Sequence, residues 1–267
     1  MGDYLRFHKA STQPRTVARG KDGARLYAIG DVHGCFDELV QLLDQIRLDN
    51  EARPPADCFV VFLGDLVDRG PHSRQVIEYL RSEPLDFAKI FYLKGNHEEI
   101  IVRAFRGEPE LLPYWLRYGG YEFLQSYGIE PHELMALDVE ALEYMATSRV
   151  PLAHIDFLAQ GHDSIKFGDY LLVHAGIRPG VALEAQSSRD LRWIRDGFLN
   201  SDRDHGFIVV HGHTISDGVD DKINRIGVDT GAYKTGILSA VCIDGENRDF
   251  LSVGSQDLIA DDQQRDE

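Results

Sequence analysis

The chain has 267 residues, 43% of them hydrophobic, with three cysteines and a formal net charge of −16. That apolar content supports one large core or two small ones, whereas the acidic balance excludes broad binding to nucleic-acid backbones or anionic membranes, which clustered Lys and Arg hold. No stretch approaches the roughly 18 apolar residues of a membrane helix and residues 1–25 lack a signal-peptide run, so a cytoplasmic protein without a disulfide framework is expected.

Residues 1–24, basic and rich in Ser, Thr, Pro and Gly, read as a flexible segment. The apolar run 26–29 predicts a buried strand that ends in Gly30-Asp31-Val32-His33-Gly34. A helix follows over 35–48, with Phe36, Leu39, Val40, Leu43 and Ile46 on one face, and a Pro-containing connector leads to the strand 58–63. That strand ends in Gly64-Asp65-Leu66-Val67-Asp68-Arg69-Gly70. Residues 73–82 repeat the helical spacing through Val76, Ile77 and Leu80, and the strand 90–93 then runs into Gly95-Asn96-His97-Glu98. Such β-α-β-α-β order favours parallel pairing. Residues 98–147 are mostly helical in pattern and broken near Pro109, Pro113, Gly119-Gly120 and Pro131, as in an inserted helical cap. Beyond 165, the strands 170–173 and 207–210 end in Val173-His174-Ala175-Gly176 and His211-Gly212-His213-Thr214. A single helix is expected over 188–199, and the runs 227–231 and 237–243 are expected to complete a second sheet. The domain is assigned to 25–254, and the acidic residues 255–267 to a flexible tail.

Five apolar strands thus each end in a loop carrying carboxylate, amide or imidazole. Open α/β sheets bind ligands at the carboxyl ends of strands, where loops distant in sequence converge. One Gly-Asp pair alone is more often a plain turn. Five in order point instead to a mixed oxygen and nitrogen donor set suited to Mn, Fe or Zn rather than Ca. The histidines His132, His154, His162 and His205 lack a partner motif and read as surface or hydrogen-bonded residues. Cys35 reads as a buried, inert thiol.

With Gly-Asp-x-His-Gly, Gly-Asp-x-x-Asp-Arg-Gly, Gly-Asn-His-Glu and the two histidine motifs in this order, residues 26–243 resemble the phosphoprotein phosphatase family of dinuclear metallophosphoesterases. The resemblance implies an α/β calcineurin-like metallophosphoesterase fold, two β-sheets sandwiched between helices with an inserted cap. It implies two divalent metal ions, manganese by family habit, with Fe and Zn suited to the same donors. Asp31 and His33 would bind the first, Asp65 would bridge both, and Asn96, His174 and His213 would bind the second. A bridging hydroxide would then attack phosphorus in line. His97 matches the general acid and Asp68 the residue that orients it, with one more metal ligand as the other reading of His97. Arg69 and Arg195 match phosphate-binding arginines, and Tyr233 matches a residue at the rim. His213 fits the metal position better than His211, which on an extended segment would share its face and stays open as a substitute ligand.

The metal centre does not identify the ester. Asp68-Arg69 and Glu98 resemble the Ser/Thr protein phosphatases, and the cap with the His-Ala-Gly and Asp-Thr-Gly motifs resembles their bacterial members, whereas the symmetrical diadenosine tetraphosphatases typically carry Ala-Arg and Gly-Asn-His-Asp at the first two places. The expected activity is hydrolysis of phosphoserine and phosphothreonine, with phosphotyrosine as an extension. The alternative is a nucleoside polyphosphate hydrolase, for which Tyr114, Trp115, Tyr118 and Tyr121 with Arg103, Arg106 and Arg117 would supply stacking and charge. An inactive metal-binding scaffold would lack a ligand or the acid, and neither is missing. Substrate aside, no partner or oligomeric state is implied.

Overall fold

The computed structural model describes residues 17–82, 85–135 and 137–254. Both flexible segments expected at the ends fall largely outside these residues, at 1–16 and 255–267. Residues 17–24 are tied down: the Arg19 N–H donates to Asp169 Oδ2 at 2.8 Å and the Gly20 N–H to Gly245 O at 2.8 Å.

Strand β1 (Ala24–Ile29) is buried along its whole length. Helix α1 (Phe36–Ala52) connects it to β2 (Asp57–Phe62), and α2 (Ser73–Ser82) connects β2 to β3 (Lys89–Tyr92). Both strand pairings are parallel. Helix α3 (Asn96–Phe105) opens the cap, which continues through α4 (Leu112–Trp115), a π-helical turn at Leu116–Gly120, α5 (Tyr121–Ser126), α6 (Val139–Arg149) and α7 (Leu152–Ala159). Then come β4 (Ser164–Phe167), β5 (Tyr170–Val173), α8 (Ser188–Trp193), α9 (Asp196–Leu199), β6 (Ile208–His211), β7 (Asp220–Asp221) and β8 (Arg225–Gly227). The chain closes with α10 (Ala232–Thr235), β9 (Leu238–Asp244) and β10 (Asn247–Val253). One sheet has the order β10-β9-β1-β2-β3 and the other β4-β5-β6-β8-β7.

Period-two alternation divides the side chains between layers. Leu26 and Ala28 of β1 pack with Val61, Leu172, Val210 and Ile226 in the layer between the sheets. Tyr27 and Ile29 face Leu39, Leu42 and Ile46 of α1. On the far side, Val173 and Val209 pack on Leu191 and Phe198. Strands buried on both faces explain why the runs read as continuously apolar. Among the described residues no helix is long and apolar enough to cross a membrane.

Three expectations fail. Of the run at 227–231 only Gly227 is in a strand, β8, and residues 228–231 form the loop that follows it. The run at 237–243 belongs to β9, which pairs antiparallel with β1 (Ile29↔Ala240 to Arg25↔Asp244) and so completes the first sheet, not the second. An apolar run carries no mark of which sheet it joins. The helix expected over 188–199 breaks at Arg195, with φ −130° and ψ −103°. There the Leu191 carbonyl accepts the Ala175 N–H at 2.8 Å, so the segment's hydrogen bonding is diverted to the loop that carries His174.

Candidate active site

The loops after β1, β2, β3, β5 and β6 converge at one end of the sandwich. Asp31, His33, Asp65, Asn96, His97, His174 and His213 meet there, all buried. Donor atoms of His33, Asp65 and His97 form one close group and those of Asp65, His174 and His213 another, each within 4.8 Å. Asp65 is common to both, as a bridging ligand must be. Its Oδ2 lies 3.4 Å from His174 Nε2, 3.7 Å from His33 Nε2 and 3.9 Å from His97 Nε2.

Backbone carbonyls aim the imidazoles. His33 Nδ1 lies 2.8 Å from Val67 O and His174 Nδ1 lies 2.8 Å from Leu63 O. With Nδ1 donating outward, each ring turns Nε2 toward Asp65, the usual arrangement of ligating histidines. Asn96 opens α3 and its Oδ1 stands 3.0 Å from His174 Nε2. Asp31 stands outside both groups, and its two carboxylate oxygens accept the His213 N–H at 3.1 Å. His213 Nε2 is buried with no protein partner. Glycines permit the approach: a Cβ at Gly95 would collide with Asp65 Oδ1, and one at Gly212 with Asp31 Oδ1.

Burial, reinforced by neighbouring imidazoles, lowers His33 to about 3 and His213 to about 2, so both are neutral with a lone pair free at neutral pH. Burial opposes ionisation of Asp65, but His174, His97 and His33 outweigh it and hold the carboxyl well below the usual range. Burial likewise opposes charge on His174, but Asp65, Asp31 and Glu98 lift it to about 10. Burial raises Asp31, with the nearby Asp229 adding to the effect. These acids call for compensating cations. A neutral, unpartnered imidazole beside a shared carboxylate is the donor chemistry that divalent metals require.

Beside this cluster His97 Nδ1 lies 2.6 Å from Asp68 Oδ2. The same oxygen accepts Trp115 Nε1–H at 2.9 Å, and Ser73 Oγ accepts the Asp68 N–H at 2.9 Å. Burial opposes charge on His97, but Asp65 and Asp68 raise its pKa. Arg69 donates from Nη1 to Tyr233 Oη at 2.7 Å, and its Nη2 stands 3.3 Å from His97 Nε2. A cleft of about 190 Å³ opens over these groups, lined by Arg69, Asn96, His97, Arg195, His213 and Trp193 of α8, with Tyr114, Trp115 and Tyr118 supplied by the cap.

All ten of the sequence-derived site residues thus lie in or around one centre, and Tyr233 at its edge. His211 does not join: its ring packs edge-on against Phe198 at 5.2 Å and its Nδ1 faces Gly212 O at 3.0 Å. Of the cap residues, Arg103 pairs with Glu99 and Glu108, and Arg106 with Asp156, so neither is free for substrate. Cys35 is buried, and burial pushes its thiol up to about 12. Sequence reasoning missed two roles. Glu98 accepts the N–H groups of Gly95, Asp65 and Leu66 at 2.8 to 2.9 Å, lashing the second and third motif loops together. Its position three residues after the helix-capping Gly95 is a capping-box spacing that signals such a contact. Asp229, buried beside Asp31, had no signal beyond the Asp-Thr-Gly triplet around it.

A family model described as calcineurin-like phosphoesterase matches residues 24–237. The chain is 29% identical over 184 residues to a symmetrical bis(5'-nucleosyl)-tetraphosphatase of Aromatoleum aromaticum, covering 68% of this chain and 55% of that protein. It is 28% identical over 227 residues to serine/threonine-protein phosphatase 1 of Salmonella typhimurium, covering 82% and 92%. The crystal structure of a cold-active protein-tyrosine phosphatase of a Shewanella species superimposes with a TM-score of 0.53 at 17% identity, covering 92% of this chain and 89% of that one. The chain spans just over half, 55% to 56%, of the length of the first curated relatives it matches.

Proposed function

We propose that this chain, which belongs to the calcineurin-like phosphoesterase family, hydrolyses phosphoserine and phosphothreonine monoesters, with phosphotyrosine as an extension. The observation that carries this reading is the Asp68–His97 contact of 2.6 Å beside Arg69, facing the cleft next to the Asp65 cluster. Asp31, His33, Asp65, Asn96, His174 and His213 would hold two divalent cations, manganese first among those to test. When bound, such cations lower the pKa of a coordinated water and neutralise phosphoryl charge.

The remaining chemistry falls to side chains. Arg69 and Arg195 clamp the phosphoryl oxygens through charge-assisted hydrogen bonds. Tyr233 holds the Arg69 fork through its 2.7 Å contact. His97 gives its Nε2 proton to the ester oxygen as the P–O bond breaks, and Asp68 holds Nδ1–H so that the ring stays aimed. Supply of cations favours a single phosphate over a polyphosphate. Arg103, Arg106 and Arg192 are engaged by Glu99, Glu108, Asp156 and Asp163, and Arg117 is exposed outside the cleft lining, in which the arginines are Arg69 and Arg195.

A second reading rests on the tyrosine pair at the mouth. Tyr114 and Tyr118 are half exposed with ring centroids 4.6 Å apart, a surface on which a nucleobase could stack. Relatives named for each activity match the chain. The deciding experiment compares kcat/KM of the Mn-loaded enzyme on a phosphothreonine peptide and on diadenosine tetraphosphate, with Asp65→Asn as the blank. Preference for the peptide by about a hundredfold or more is expected; the reverse preference overturns the reading in favour of a nucleotide hydrolase.

A further inference from the structure

Beyond α3, the cap hydrogen-bonds to the second motif loop among the described residues at Asp68 and at Arg69, both assigned above to the chemistry. Trp115 Nε1–H donates to Asp68 Oδ2 at 2.9 Å. Four residues on, Gly119 O accepts the Arg69 N–H at 3.2 Å. Trp115 ends α4, and Gly119 lies in the π-helical turn that follows it, Leu116–Gly120, kinked at Tyr118 and at Gly119, where φ is +114°. Such turns inside helices are frequent at functional sites.

Adjacent glycines make the approach feasible. A Cβ at Gly119 would press on the Arg69 backbone nitrogen and Asp68 Cβ, and one at Gly120 would press on the Trp115 indole. The indole is itself 1% exposed and wedged edge-on between Phe105 and Phe123, at 6.2 and 5.3 Å. A rigid aromatic therefore delivers one N–H to one carboxylate oxygen. That oxygen is the one that also faces His97 Nδ1, while Asp68 Oδ1 has no partner. Without the indole N–H nothing among the described residues distinguishes the two oxygens except His97, and the carboxylate is free to turn about its Cβ–Cγ bond.

We propose that Trp115 is a positioning residue for leaving-group protonation: its N–H fixes the Asp68 carboxylate, which in turn holds the His97 ring on the departing oxygen. This rests on the reading of His97 as the proton donor. A water oxygen bonds to phosphorus as the ester P–O bond breaks, the ester oxygen takes that bond's electron pair and the Nε2 proton to leave as the alcohol, and neutral His97 keeps its Nδ1–H toward Asp68. Trp115 never meets the substrate in this step. Its effect therefore scales with how much the leaving oxygen needs a proton.

The test is Trp115→Phe, which keeps an aromatic ring and removes the donor, assayed on an alkyl phosphate such as a phosphoserine peptide and on 4-nitrophenyl phosphate. Loss of one hydrogen bond to a charged group corresponds to a fall of about ten- to a hundredfold in kcat on the alkyl ester. The aryl ester, whose oxygen leaves without a proton, is expected to change less than about threefold, with KM little changed on both. In a His97→Ala background the same substitution should have no further effect, because residues acting through one another are not additive. Equal losses on both esters, or a further loss in the His97→Ala background, overturn the proposal and reduce Trp115 to packing. If His97→Ala alone affects both esters equally, the proton-donor reading fails instead, and the two failures are thereby separated. Should Trp115→Phe lose its fold to the cavity it leaves, β-(3-benzothienyl)alanine at position 115 repeats the measurement with sulfur in place of N–H and nearly the same shape.

Discussion

Removing the Arg195 guanidinium tests how the site holds a phosphate. Arg195 lies at the break between α8 and α9, exposed, with its Nη1 3.4 Å from Thr214 Oγ1. No carboxylate among the described residues pairs with it, unlike Arg192, which is held by Glu99 and Asp163. Its charge is therefore available to substrate. Two unit charges about 4 Å apart attract by about 4 kcal/mol at an effective dielectric near 20 and about 1 kcal/mol in bulk water. An exposed arginine on the rim falls between, so about 2 kcal/mol, or roughly thirtyfold in affinity, is the working value. Arg195→Ala should raise KM for a phosphopeptide by that factor and leave kcat within about threefold, because the contact exists before and during bond breaking. Arg195→Lys should recover part of the loss, since it keeps the charge but not the two-pronged fork. The assay is initial rates over a range of peptide concentrations at two ionic strengths, with the steeper salt dependence in the parent enzyme. A KM within twofold of the parent, with the fold intact by circular dichroism, would refute the assignment of Arg195 to phosphate binding.

Glu98→Ala strips three buried backbone N–H groups of their acceptor. Offset by the buried carboxylate it removes, the net destabilisation should be about 2–4 kcal/mol, read as a shift in the urea midpoint with an unchanged slope. Chelation should abolish turnover and lower Tm, with Mn restoring both, because a ligand that binds only the folded state stabilises by mass action. A Tm indifferent to chelator and to added Mn, Zn and Fe would count against a metal centre in these residues.

Much of the site could be read from the chain because its chemistry sits at strand ends, where apolar runs stop abruptly. Residues 73–82 were expected as a helix and form α2 over the same span, since Val76, Ile77 and Leu80 have no other way to share a face. The five motif loops arrive together for the same reason: parallel strands put their carboxyl ends at one edge of a sheet. What stayed hidden depends on partners distant in sequence. The crossing of β9 back to β1 leaves no trace in periodicity, because a strand buried on both faces is apolar in either sheet. Trp115 looked like a cap packing or stacking residue, and only the fold shows its N–H on Asp68, 47 positions away. Arg103 and Arg106 looked available for phosphate, but local acids had already neutralised them.

The backbone explains why this centre needs so many supports. Among the described residues the non-glycine positions with positive φ are His33 (44°), Asp65 (50°), Asp68 (72°), Arg69 (66°) and His213 (64°), and every one is a site residue. Left-handed backbone costs an L-residue about 1–2 kcal/mol, so five of them represent roughly 5–10 kcal/mol of local strain. Extended loops would splay their side chains away from one another, whereas a reversed turn at each ligand folds the donors back toward a common point. That geometry persists only if neighbouring loops hold it. The first and second loops hold each other: His33 N–H donates to Asp65 O at 2.9 Å, Gly34 N–H to Leu66 O at 2.9 Å, and Gly70 N–H to His33 O at 2.9 Å. Glu98 joins the second loop to the third, the Asp31 carboxylate receives the backbone of the loop that carries His213, and Gly119 of the cap takes the Arg69 N–H. Each strained residue is thus anchored by a loop other than its own, so the donor cluster forms only when both sheets and the cap are in place.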